Sequence, residues 1–107
     1  MAKKATPIKT FVVYSILHNN TCYYIGRSGN LMRRQHQHRK DYRDGKDKLL
    51  YNYLRSKGCK DTDITLIVLA TFDNINESKL FEAYLILKDY FSDKKLKQHP
   101  PTINSYY

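Results

Sequence analysis

The chain has 107 residues and 12.7 kDa, with 19 Lys and Arg against 10 Asp and Glu, a formal charge of +9. At this length the expectation is one domain with a modest core, too small for a catalytic domain plus a separate recognition domain. Hydrophobic (41%) and charged (27%) contents are globular; no apolar run approaches the roughly 20 residues of a membrane span, and residues 1–7 lack the apolar stretch and cleavage site of a signal peptide, so the expectation is an intracellular protein with no membrane partner.

A flexible tail over 1–9 leads past Pro7 into Phe11–Leu17, rich in β-branched and aromatic residues and read as a strand. Asn19-Asn20-Thr21 supplies a turn and Cys22–Gly26 a second strand, together an antiparallel hairpin. Asn30 is a good N-cap for a helix from Leu31 to about Arg43, which Gly45 ends. A second helix over Asp47–Lys57 places Leu50, Tyr53, Leu54 and Lys57 on one face, with Gly58 as C-cap. The nearly continuous apolar run Ile64–Phe72 predicts a strand buried on both faces, hence the central one. Asn74-Ile75-Asn76-Glu77 has capping-box form and opens a third helix running to about Phe91, with Leu80, Ala83, Tyr84, Leu87 and Phe91 as its apolar stripe. His99-Pro100-Pro101 blocks further helix and starts an extended segment over 99–107. The expectation is a single α+β domain over 1–107: a small three-stranded antiparallel sheet flanked by helices, order ββααβα. Cys22 and Cys59 match no metal-ligand spacing and read as reduced, packing thiols.

Residues 1–48 hold eleven Lys and Arg against three Asp, a net +8, while the remaining 59 residues net +1. A positive surface so concentrated points to a polyanion, or to a solvated helix that serves solubility alone. Ten tyrosines and no tryptophan are compatible with base or sugar contacts and equally with ordinary packing.

Five side chains stand out within this frame. Tyr14 and Tyr24 lie on the two hairpin strands, where they can pack across the ladder or present hydroxyls to a site. Arg34 and His38 are one helical turn apart, a shared functional face or a solvated stripe. Glu82 lies between Leu80-Phe81 and Ala83-Tyr84-Leu85-Ile86-Leu87, so its carboxylate must turn outward or be paired.

Together these residues resemble the GIY-YIG nuclease family. Val12-Val13-Tyr14 stands at the first half-signature and Tyr24-Ile25-Gly26 at the second, with ten residues from tyrosine to tyrosine. Ser28, Asn30-Leu31 and Arg34 match the hydroxyl residue, the Asn-Leu pair and the arginine that follow. His38 takes the histidine position, Glu82 the glutamate, and Pro101-Thr102-Ile103-Asn104 the closing asparagine segment. Val12 replaces the first glycine, a neutral change in a strand. Lys46-Asp47-Lys48 stands where some members carry a second histidine, and the His36-x-His38 pair has no further ligands to make a zinc site.

The resemblance implies a DNA endonuclease hydrolysing phosphodiesters with Tyr14, Tyr24, Arg34, His38, Glu82 and Asn104 as its catalytic set and one Mg²⁺ or Mn²⁺ on Glu82. Tyr14 would position or deprotonate the attacking water, with His38 either accepting a proton or holding water itself. Arg27, Arg33, Arg39, Lys40 and Arg43 would track the DNA backbone. The competing reading is a catalytically idle module binding nucleic acid through the same face. Specificity and double-strand cleavage would call on the core itself, a homodimer or an accessory recognition partner.

Overall fold

The computed structural model describes residues 10–92 and 95–98; the expected tail over 1–9 and the segment over 99–107, Asn104 included, lie outside the described residues. The elements run β1 (Phe11–His18), β2 (Thr21–Ser28), α1 (Leu31–Arg43), α2 (Leu49–Ser56), a 3₁₀ turn (Asp61–Asp63), β3 (Leu66–Phe72) and α3 (Ile75–Ser92). This is the ββααβα order read from the sequence. Asn19 and Asn20 close the hairpin at φ 50° and 63°, the left-handed pair that a two-residue turn between right-twisted strands demands and that asparagine tolerates.

The sheet is wholly antiparallel, in the order β2-β1-β3. The central strand is therefore β1, and the expectation that the long apolar run would be central is corrected. On β3 only Leu66 is buried, while Ile67, Val68 and Leu69 are each more than 40% exposed. An apolar run shows that a strand is favourable without saying which neighbour covers it. Instead β1 carries four consecutive buried residues, Val13, Tyr14, Ser15 and Ile16, because helices cover both its faces.

Strand alternation divides those residues between two cores. Tyr14 and Ile16 pack with Tyr42, Leu50, Tyr51, Leu54, Ile64 and Leu66 on the α1–α2 side. Val13 and Ile25 pack with Ile86 and Leu96 on the α3 side. Each fully buried aliphatic contributes roughly 1.5–3 kcal/mol, so β1 is the element both layers depend on. Cys22 and Cys59 are free thiols, one against each core.

Asn30 caps α1 as expected, accepting a hydrogen bond from the Arg33 N–H at 3.1 Å. The Ser28 hydroxyl holds the preceding turn through the Asn30 N–H (3.0 Å) and C=O (2.9 Å). Gln35 and Arg39 tie the helix to the lead into β3, at Leu66 N–H (2.9 Å) and Ile64 C=O (2.8 Å). Helix α2 is shorter than expected at both ends, and its buried stripe is Leu50, Tyr51 and Leu54, while Lys57 is exposed.

The face of α3 also differs from the expected stripe. Leu80 and Tyr84 are exposed, whereas Ser78 and Ile86 are buried and Phe81, Glu82 and Leu85 are half-buried. The helix is apolar nearly all round, so periodicity alone cannot choose its inner face. The choice brings Glu82 inward. Beyond α3, Leu96 enters the second core and Gln98 pairs its side-chain amide with both backbone groups of Ile25, at 2.6 and 2.9 Å.

Candidate active site

The site begins with a pairing in the hairpin. Tyr14 stands opposite Gly26 across β1 and β2, and its ring folds over the glycine. A Cβ on residue 26 would meet Tyr14 Oη, would lie 2.5 Å from Cζ and would lie 2.9 Å from Cε2. The glycine is thus required by the tyrosine's position. Gly26→Ala is expected to push the ring aside and cost about 1–3 kcal/mol, as overpacking does; an unchanged urea midpoint would contradict this placement. On the other side of Tyr14 the β1–β3 register slips, leaving Leu69 without a partner between Ala70 opposite Val13 and Val68 opposite Tyr14. Bulges of this kind commonly re-aim a side chain beside a functional site.

Three tyrosines enclose His38. The Tyr14, Tyr24 and Tyr51 rings each stand edge-on to the imidazole, at interplanar angles of 74°, 78° and 79°. Both ring nitrogens are engaged by phenols: Nε2 by Tyr14 Oη at 2.8 Å and Nδ1 by Tyr51 Oη at 2.7 Å. With His38 only 4% exposed and both nitrogens engaged, neither is left to hold a water. His36, two residues away on α1, is exposed, so the His-x-His pair does not converge.

Burial, then Arg34, then Lys48 depress the His38 pKa to about 4 from its ordinary 6.5, with Asp41 opposing. The imidazole is therefore neutral throughout the physiological range. An NMR titration is expected to place its midpoint near 4. The sign for stability follows: the unfolded chain protonates His38 near 6.5 and the folded chain does not, so this residue's contribution is whole above 6.5. It is lost as pH falls toward 4, by about 3 kcal/mol. A midpoint at or above 6.5 would contradict the enclosed, cation-flanked ring.

Burial raises the pKa of both Tyr14 and Tyr24. Glu82 adds to the rise at both and Arg34 opposes it. The fields of the cation on α1 and the carboxylate on α3 therefore meet at these two hydroxyls. Glu82 is about 15% exposed, with Oε1 3.8 Å from Arg27 Nε. Arg27 thus faces the carboxylate, and its Nε is buried without a hydrogen-bond partner among the described residues.

Among the described residues no three or more His, Cys, Asp or Glu converge to cage a metal. A single inward carboxylate fits one class of ion, a hard divalent cation such as Mg²⁺ that keeps most of its waters and takes its other oxygens from a substrate. Glu82 would hold it, with the Arg27 guanidinium beside the carboxylate.

The basic residues divide. Arg33 and Arg34 are exposed and line a cleft of about 430 Å³ with Ser28, Gly29, Asn30 and Gln37 at the start of α1. Lys40 pairs with Asp44 and Arg43 with Asp61, both at 2.7 Å. Arg39 is held by the carbonyls of Ile64 and Thr62. These three have internal partners as well as any external one. Tyr51 is the site neighbour that sequence reasoning passed over, because the stripe was drawn through Tyr53. The signal was a two-residue-wide apolar stripe, Leu50-Tyr51 with Leu54, carrying one hydroxyl into the core.

Residues 10–97 match the family model described as the GIY-YIG catalytic domain. No curated protein and no solved structure is similar enough to match.

Proposed function

This chain belongs to the GIY-YIG catalytic-domain family, a family of phosphodiester-hydrolysing nucleases, and from that premise we propose that it is a metal-dependent DNA endonuclease with a single cation site at Glu82. The observation that carries the reading is the convergence on Tyr14 and Tyr24 of an arginine field from α1 and a carboxylate field from α3, beside an enclosed neutral histidine. A phosphodiester cleft needs those groups: a fixed cation for the phosphate, an oxygen ligand for a metal, and a path for the proton of the attacking water.

In this reading the scissile phosphate lies against Arg34, whose planar, permanent charge meets two nonbridging oxygens at once. Tyr14 orients the attacking water and takes its proton while passing its own to Nε2 of His38. A buried phenol with a raised pKa does not act as a free phenolate near neutral pH, so the histidine behind it is the base in effect. The phosphate's negative charge beside Arg34 offsets the cation that depresses His38 and so raises its basicity when substrate binds. Tyr24 orients water or phosphate through its hydroxyl. Glu82 would hold the divalent cation, which when bound would supply Lewis-acid stabilisation to the leaving group. Arg33 and Arg27, with Arg39, Lys40 and Arg43 at the margin, carry the DNA backbone without reading its sequence.

Loss of the 3′ oxygen leaves 5′-phosphate and 3′-hydroxyl ends, which DNA ligase can reseal. The test incubates a nicking-sensitive plasmid with the protein and Mg²⁺ and then offers the nicked product to ligase. Resealing is expected; nicks that ligase cannot close would overturn the leaving-group assignment, and binding without nicking would favour the idle module.

A further inference from the structure

A second cavity adjoins the site. Its volume is about 430 Å³, it shares no residue with the Arg33–Arg34 cleft, and it borders His38, one turn further along α1 than Arg34. Tyr24 forms another part of its wall, so two residues of the expected catalytic set lie against it. The rest comes from outside the motif: Lys48 and Leu49 from the start of α2, and Lys97 from the chain that follows α3.

Packing fixes these walls. The β1–β2 register slips between Ile16 and Leu17 and leaves Tyr23 as the extra residue. Tyr23 and Tyr24, which a regular strand would turn to opposite faces, therefore both pack on the α1–α2 core, while Cys22 packs on the other. Tyr23 stacks on Tyr53 with centroids 4.4 Å apart, and its C=O accepts the Lys97 N–H at 2.6 Å. Lys97 Nζ then lies 5.2 Å from the Tyr53 centroid, and Lys48 Nζ 5.7 Å from that of Tyr51. Among the described residues neither ammonium has a carboxylate within ion-pairing distance, unlike Lys40 and Arg43. Asp47, an acid in the same wall, accepts from the Asn52 amide at 2.7 Å. Two ammoniums against one carboxylate leave the cavity positive, and the field of Lys48 reaches the His38 imidazole, whose pKa it helps to lower.

Cations for phosphates, with an exposed leucine and a tyrosine ring for a base, are what a nucleotide needs from a wall. The volume lies toward the low end of cavities that enclose small organic ligands, roughly 300–1,000 Å³. One nucleotide fits such a space, and a base pair with both its sugars does not. We propose that this cavity takes an unpaired nucleotide next to the scissile phosphate, with Lys48 and Lys97 on the phosphates that flank it, so that the substrate is DNA unpaired at the cut. The cut strand then runs from the Arg33–Arg34 cleft past Tyr24 to the two lysines. That substrate class rests on the nuclease reading above. Negatively supercoiled plasmid meets the requirement through its local openings, and a relaxed intact duplex does not.

Fluorescence anisotropy on the whole chain in EDTA, where no cleavage intervenes, compares two labelled DNAs: a blunt duplex, and the same duplex with a central run of mismatches that leaves both strands unpaired. The wild type is expected to bind the bubble about tenfold or more tighter. Lys48→Gln/Lys97→Gln is expected to bring the two affinities within twofold. On the bubble it should also flatten the slope of log K against log salt by about 1.4, since each phosphate contact to a single strand contributes about 0.7. Lys79→Gln/Lys88→Gln, which removes the same charge from α3, is expected to keep the preference. Equal affinity of the wild type for the two DNAs would overturn the proposal. So would a preference that survives the loss of Lys48 and Lys97, or one lost equally with Lys79 and Lys88. A protein that prefers the bubble in EDTA but cuts neither DNA in Mg²⁺ would refute the nuclease reading and leave the cavity's occupant standing, and one that binds and cuts both without preference would do the reverse.

Discussion

Glu82→Ala is expected to lower Mg²⁺-dependent cleavage by roughly 10³-fold or more, on the scale of losing a central transition-state contact or exceeding it, while affinity for duplex DNA stays within a few-fold. Glu82 acts on both Tyr14 and Tyr24 and sits inward on α3, whereas the exposed arginines that would meet DNA lie at the start of α1. Glu82→Gln is the sharper form of the experiment. It retains size and an acceptor oxygen but has no charge for a hard cation, so it should lose nearly as much activity as alanine. Single-turnover cleavage and fluorescence anisotropy, measured side by side, separate the chemical step from binding. A wild-type rate in either variant would remove Glu82 from the mechanism.

The second large effect concerns Arg34. Arg34→Lys is expected to lose about 10²–10³-fold in cleavage, close to the loss in Arg34→Ala, because an ammonium keeps the charge but cannot make the two parallel bonds that a guanidinium makes to a phosphate. The two variants should part company at His38. Arg34 is one of the cations that depress this histidine, so Arg34→Ala should move its NMR midpoint upward from about 4, whereas Arg34→Lys should leave it low. If lysine restored full activity, charge alone would be the requirement. If the His38 midpoint ignored both changes, the field assigned to Arg34 would be wrong.

Much of this was legible before any coordinates, and the reasons are local. Helix α1 runs from Leu31 to Arg43 as read, because Asn30 and Gly45 mark its ends by mechanisms that depend on a few adjacent residues. The hairpin followed from two asparagines between β-rich runs. What could not be read needed knowledge of what covers what. The run at 64–72 is apolar enough for a central strand, yet it forms an edge, since only packing decides which strand the helices cover. Helix α3 offered apolar residues on every side, so the inward turn of Glu82 and the exposure of Leu80 and Tyr84 were fixed by its docking on β1 and β2. The internal partners of Arg39, Lys40 and Arg43 come from the helix's own next turn and from the lead into β3. A count of charges does not reveal them. Tyr14, Tyr24, Arg34, His38 and Glu82 were visible as a spaced set, but the phenol behind His38 was not, because Tyr51 belongs to no motif.

The most direct test of the central claim is incubation of the purified protein with supercoiled plasmid in Mg²⁺, with EDTA added to a parallel sample. The account predicts conversion to nicked and then linear DNA in Mg²⁺ and none in EDTA. Supercoiled DNA that is bound yet uncut in both Mg²⁺ and Mn²⁺, or cleavage that EDTA does not stop, would contradict it.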